Sequence, residues 1–131
     1  MLALDTHILV RLVTNDDPVA AQRIQLALDA ELALDNKCMV GHIVLCELVW
    51  VLQRLYAYSV QQCQQTIHSL ITFEGLRFEA SPVVLAAYMA CEKHGGDWAD
   101  HLLGAQMQSL GCGAVLTPDK ATSRASTYRK L

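Results

Sequence analysis

Asp5 and Glu47 stand where a carboxylate is out of place. Asp5 interrupts Leu-Ala-Leu-Asp-Thr-His-Ile-Leu-Val, and Glu47 interrupts Ile-Val-Leu-Cys-Glu-Leu-Val-Trp-Val-Leu. Burying an isolated carboxylate is costly even after relaxation, so an acid in such company needs a partner. Only Arg11 and Arg54 lie near in sequence, and helical spacing does not aim Arg54 squarely at Glu47. A divalent cation is the other solution. Asp97 and Asp100, three apart at the start of a helix, share roughly one face, and Asp119 follows the strand Ala114 to Thr117. Four or five carboxylates converging at one sheet edge would form an oxygen-only site suited to Mg²⁺ or Mn²⁺ rather than zinc. An ion held this way activates water and shields the non-bridging oxygens of a phosphodiester.

Each acid also has an ordinary structural role open to it. Asp97, between Gly95-Gly96 and Trp98, is a good helix N-cap. Asp100 in the first turn favours the helix dipole, and Asp119 suits a turn. For Asp5 and Glu47 the ordinary role is that of a buried, hydrogen-bonded acid. That all of them are incidental is much harder to accept than any one alone.

Charge sharpens the case for a metal. Residues 120–131 hold Lys120, Arg124, Arg129 and Lys130 and no acid, so the first 119 residues carry six basic against thirteen acidic groups, a balance of −7 within a net charge of −3. A body this acidic does not hold nucleic acid by a general basic field. Action on a polyanion requires local neutralisation.

The elements that must position these acids alternate. Leu2 to Leu4 reads as a buried strand ending on Asp5-Thr6, and Ile8 to Val13 as a short helix. Asp16 or Asp17 caps a helix that starts at Pro18 and carries apolar residues through Leu32. Cys38 to Val40 is a strand, Ile43 to Leu55 a buried helix, Val60 to Phe73 a helix ended by Gly75, and Leu76 to Glu79 a strand. Val83 to Lys93 and Trp98 to Leu110 are helices, and Ala114 to Thr117 is a further strand. This order predicts an α/β fold with a mostly parallel central sheet flanked by helices on both faces, in one domain spanning 1–131. Ligands of such folds collect beyond the carboxyl ends of the strands, where Asp5 and Asp119 fall.

Composition excludes several classes. At 131 residues with 53% hydrophobic and 18% charged residues, disorder and collagen are out. The apolar surplus suggests an oligomer or a standing partner. Five scattered cysteines with no C-x-x-C pair read as small buried hydrophobes in a reducing cytoplasm, not as bridges or zinc ligands. The nine-residue run Val83 to Cys91 is too short to span a bilayer, and the N-terminus lacks a basic signal region. The expectation is a cytoplasmic protein without membrane association. His7, His42, His68, His94 and His101 show no zinc-ligand spacing. Met39, Met89 and Met107 read as core filler, and Trp50 and Trp98 as packing residues. No phosphate-binding glycine loop or nucleophile elbow is present.

Four segments in order complete the picture: Leu4-Asp5-Thr6-His7-Ile8-Leu9-Val10-Arg11, Cys46-Glu47-Leu48-Val49-Trp50-Val51-Leu52, Gly96-Asp97-Trp98-Ala99-Asp100-His101-Leu102-Leu103 and Leu116-Thr117-Pro118-Asp119-Lys120-Ala121. Together they resemble the PIN-domain ribonucleases, specifically the VapC-type toxins of prokaryotic toxin–antitoxin pairs, over essentially the whole chain. The resemblance implies that Asp5, Glu47, Asp100 and Asp119 are the metal-binding and catalytic acids, with Asp97 accessory and the hydroxyls of Thr6 and Thr117 supporting them. It further implies Mg²⁺- or Mn²⁺-dependent hydrolysis of RNA, commonly as a homodimer, restrained by a cognate antitoxin. His7 stands where the family most often has Asn, keeping a hydrogen-bond donor that can also titrate or ligate. Pro118 replaces a commonly aromatic residue and removes an amide donor. Thr127 to Leu131 is the candidate for the family's final strand. Lys120 and Arg124, close after Asp119, are candidates for guiding an RNA phosphate. The alternatives are a PIN-like module that binds RNA or an antitoxin without turnover and, more distantly, a receiver-type phosphoacceptor domain.

Overall fold

A computed structural model describes residues 1–131, which divide into two compact units, Met1–Glu79 and Ala80–Leu131. The first unit runs β1 (Leu2–Ala3), α1 (Thr6–Thr14), α2 (Pro18–Ala33), β2 (Cys38–Val40), α3 (His42–Leu55), α4 (Val60–Thr72) and β3 (Leu76–Phe78). Local chemistry sets the helix ends. Asp17 caps α2 ahead of Pro18 by accepting from the Ala20 amide, and Ser59 with Gln62 forms a reciprocal capping box on α4. Asn15, in the left-handed region at φ 50°, closes α1. Gly41 offers α3 no capping side chain, so the Glu79 carboxylate takes that place and accepts from the His42 amide at 2.8 Å.

The strands order as β1-β2-β3, all parallel, with Ala3 opposite Met39 and Val40 opposite Phe78. Leu4 continues the ladder by donating to the Met39 carbonyl. Leu9, Val40, Leu45, Leu48, Leu52 and Ile67 form the fully buried centre of this unit.

The second unit holds α5 (Ser81–His94), α6 (Trp98–Ser109), β4 (Val115–Thr117), a 3₁₀ turn (Thr122–Arg124) and β5 (Tyr128–Lys130). Gly95 and Gly96, both at positive φ, make the corner between the two helices. β4 and β5 pair in parallel, with Val115 opposite Tyr128. β5 lies against α6 because Gly104 has no side chain: a Cβ there would overlap Thr127 and crowd the Tyr128 ring. The Tyr128 hydroxyl donates to the Asp100 carbonyl at 2.7 Å.

The α/β class and the parallel pairing match the expectation from sequence, and Thr127 to Leu131 does contain the final strand. One central sheet does not: the strands form a three-stranded and a two-stranded sheet. β4 finds its ladder partner in β5, a few residues beyond the 3₁₀ turn. α1 also starts at Thr6, earlier than expected, because Asp5 caps it. No helix is long and apolar enough to cross a membrane. None of the five cysteines is in a disulfide, but only Cys38, Cys63 and Cys91 are buried; Cys112 is exposed, which corrects its reading as a core residue. Met89 and Trp50 are likewise exposed rather than packed.

Candidate acidic site

Asp5 and Glu47 belong to the first unit. Asp5 follows β1 at the N-cap of α1, where one carboxylate oxygen accepts from the Thr6 amide at 2.7 Å. Its other oxygen lies 3.5 Å from Nδ1 of His7, and its side chain is 75% exposed. Thr6 is buried, and its hydroxyl donates to Glu47 Oε1 at 3.3 Å. A single threonine therefore ties both acids, one through its amide and the other through its hydroxyl.

Both acids are exposed, which overturns the argument that burial obliges them to seek a cation. α3 turns Leu45, Leu48, Val49 and Leu52 inward and leaves Ile43, Glu47, Trp50 and Arg54 on its outer face. The apolar residues on that outer face disguise an amphipathic helix as a buried one. Arg54 is engaged with Trp50, its guanidinium 5.5 Å from the ring centroid.

Asp97, Asp100 and Asp119 belong to the second unit, where they line one pocket of about 360 Å³ together with His94, His101, Thr122 and Arg124. Asp97 occupies the N-cap of α6 without a side-chain cap hydrogen bond, so its capping role is only positional. Burial, and then the charge of Asp100, push the Asp97 carboxyl above the usual carboxylate range, against the nearby amides of Asp100 and Ala99. Asp119 is held locally. One oxygen accepts from the Ala121 amide at 2.9 Å and the other from the Thr122 hydroxyl at 2.7 Å. These bonds, Thr122 first, hold its carboxyl below the usual range. The Thr117 hydroxyl accepts from the Asp119 amide at 3.1 Å, fixing the turn that Pro118 begins.

His101 is buried and its Nε2 donates to the Gly95 carbonyl at 2.6 Å, while its ring stacks on His94. That bond braces the glycine corner. Of the two basic residues expected near Asp119, Arg124 lines the pocket and Lys120 does not.

Thr122 is the residue that reading the sequence missed. Its hydroxyl also reaches Asp100 Oδ2 at 3.2 Å. The available signal was slight: an aspartate followed closely by hydroxyl residues suggests an Asx-type turn, not a contact to an acid 22 residues earlier.

Within neither unit do three His, Cys, Asp or Glu side chains stand ready to enclose an ion. The donors nevertheless fit a hard cation by their chemistry. The second unit faces one pocket with three carboxylates, and desolvation first and the Asp100 charge second raise the proton affinity of Asp97 among them. Fold and donors together define an α/β chain with Asp5 just after β1, Asp119 just after β4, Glu47 on α3 and Asp97 and Asp100 at the start of α6. The PIN-domain family matches residues 2–127, across both units, and the chain belongs to that family. PIN domains are generally a nuclease fold, and PIN nucleases generally use divalent metal ions. Comparison with curated proteins finds no match.

Proposed function

We propose that the chain is a metal-dependent endoribonuclease, hydrolysing RNA phosphodiester bonds as the toxin of a type II toxin–antitoxin pair. Membership of the PIN-domain family over residues 2–127 is the observation that carries the reading. Asp5, Glu47, Asp100 and Asp119 are the acids that hold Mg²⁺ or Mn²⁺, with Asp97 accessory. The bound ion supplies Lewis-acid activation of water and charge neutralisation at the phosphate.

The chain's own groups supply order and charge. Thr6 orients Asp5 and Glu47 through its two bonds. Thr117 sets the turn that presents Asp119. Arg124, on the pocket wall, offers a cation to a phosphate oxygen, and the exposed Lys120 assists its approach. One of the acids accepts the proton released by the attacking water. In this reading the chain works in the cytoplasm as a homodimer and is restrained by its cognate antitoxin.

The test is cleavage of RNA by purified, partner-free protein with and without Mn²⁺. Wild type cleaves only with the metal, and Asp100→Asn abolishes cleavage while leaving the circular dichroism spectrum unchanged. Cleavage without metal, or full activity in Asp100→Asn, contradicts the proposal. A folded wild-type protein that binds Mn²⁺ and RNA but never cleaves would be a binding module instead.

A further inference from the structure

Asp100 and Asp119 reach their pocket from different elements, the first turn of α6 and the turn after β4. Two like charges do not hold each other in place. Between them stands one neutral group, the Thr122 hydroxyl, 2.7 Å from Asp119 Oδ2 and 3.2 Å from Asp100 Oδ2. We propose that Thr122 is a positioning residue, whose hydroxyl presets Asp100 and Asp119 for a divalent cation. The inference rests on the metal-dependent reading above and adds to it a residue outside the acidic set.

The hydroxyl carries a single proton, which serves the nearer acceptor, Asp119, and leaves Asp100 as the weaker, shared contact. Asp119 needs this restraint most. Its side chain is exposed, on a turn, and its remaining restraints are backbone amides of the same turn, Ala121 at 2.9 Å among them. Without the hydroxyl, a binding cation would have to order the Asp119 rotamer and draw it towards Asp100 unaided. The placement of Thr122 is itself secured. The 3₁₀ turn that carries it is closed by backbone bonds from Ser123 to Asp119 and from Ala125 to Thr122, and β5 behind it is tied to α6 by Tyr128.

The experiment is Mn²⁺ binding by titration calorimetry on the full chain, comparing wild type with Thr122→Val, which keeps the shape and removes the hydroxyl, and Thr122→Ser, which restores it. Thr122→Val is expected to weaken binding about five- to tenfold, the net worth of a typical intramolecular hydrogen bond, and Thr122→Ser to stay within about twofold of wild type. A purely structural role would lower the melting temperature of Thr122→Val without changing its affinity. Unchanged or tighter Mn²⁺ binding by folded Thr122→Val overturns the proposal and leaves the metal-dependent reading standing. No Mn²⁺ binding by wild type ends both. Should Thr122→Val fail to fold by circular dichroism, Thr122→Ala carries the same comparison with the same outcomes.

Discussion

Asp97 shows how desolvation, and then a neighbouring acid, are written into stability. Its carboxyl is raised by burial first and by Asp100 second, so the folded protein binds that proton more tightly than the unfolded chain does. The stability this group contributes is complete at pH values below the ordinary carboxylate range and is lost as pH rises through the raised value. At neutral pH the charge is a liability. Asp97→Asn removes the charge and keeps an equally good N-cap residue, so it is expected to melt higher than wild type at pH 7, on the order of a degree or two. The advantage should vanish in acid. A variant that melts lower than wild type at pH 7 would show that desolvation and the Asp100 charge do not govern this position. Residue type and neighbours alone single out Asp5, Glu47, Asp97, Asp100 and Asp119, and of these the structure places Asp97, Asp100 and Asp119 on one pocket and ties Asp5 and Glu47 to Thr6. What was illegible was orientation. Glu47 sits among apolar residues whose outward members, Ile43 and Trp50, concealed its exposure, and Thr122 depends on a contact that no local pattern encodes.

At the scale of elements, caps and glycines decide most boundaries, and these were readable. Asp17-Pro18 opens α2 and Gly95-Gly96 separates α5 from α6. The 3₁₀ turn over Thr122–Arg124 was not, since three residues carry no periodicity. Gly104 is a quieter case: nothing in its sequence neighbourhood distinguishes it from a tolerated helical glycine, yet β5 packs into the space it leaves. Gly104→Ala should force Thr127 and Tyr128 away from α6, strain the bond between the Tyr128 hydroxyl and the Asp100 carbonyl, and cost about 1–3 kcal/mol. Denaturant unfolding measures this. A stability equal to or above that of wild type, as helix propensity alone would favour, would mean that β5 does not need the close approach.

For the molecule as a whole, two ionisable groups of the second unit set an alkaline limit. The Cys91 thiol is pushed up to about 12, by burial first and then by Asp97 and Glu92, and the Tyr128 hydroxyl likewise to about 12, by burial and then Asp100 and Asp97. The ordinary values are 9.0 and 10.0. Their contribution is therefore complete below those ordinary values and is lost as pH rises towards about 12. Thermal melting should fall progressively above pH 9, and Cys91→Ala should flatten that fall even if its baseline stability is lower. A melting temperature that stays level through this range would refute the burial of these groups. The same scale shows the limit of reading strands one at a time. Each strand has at most three residues, and a strand that short does not specify its neighbour. One sheet was expected and two were found, while the family match runs across both units.

The proposed function makes Asp5 a metal-holding acid, and Mn²⁺ titration calorimetry of wild type beside Asp5→Asn tests it most directly. Saturable binding by wild type that is lost or strongly weakened in a folded Asp5→Asn is the predicted result. Equal binding by the two proteins, or none by wild type, would contradict it.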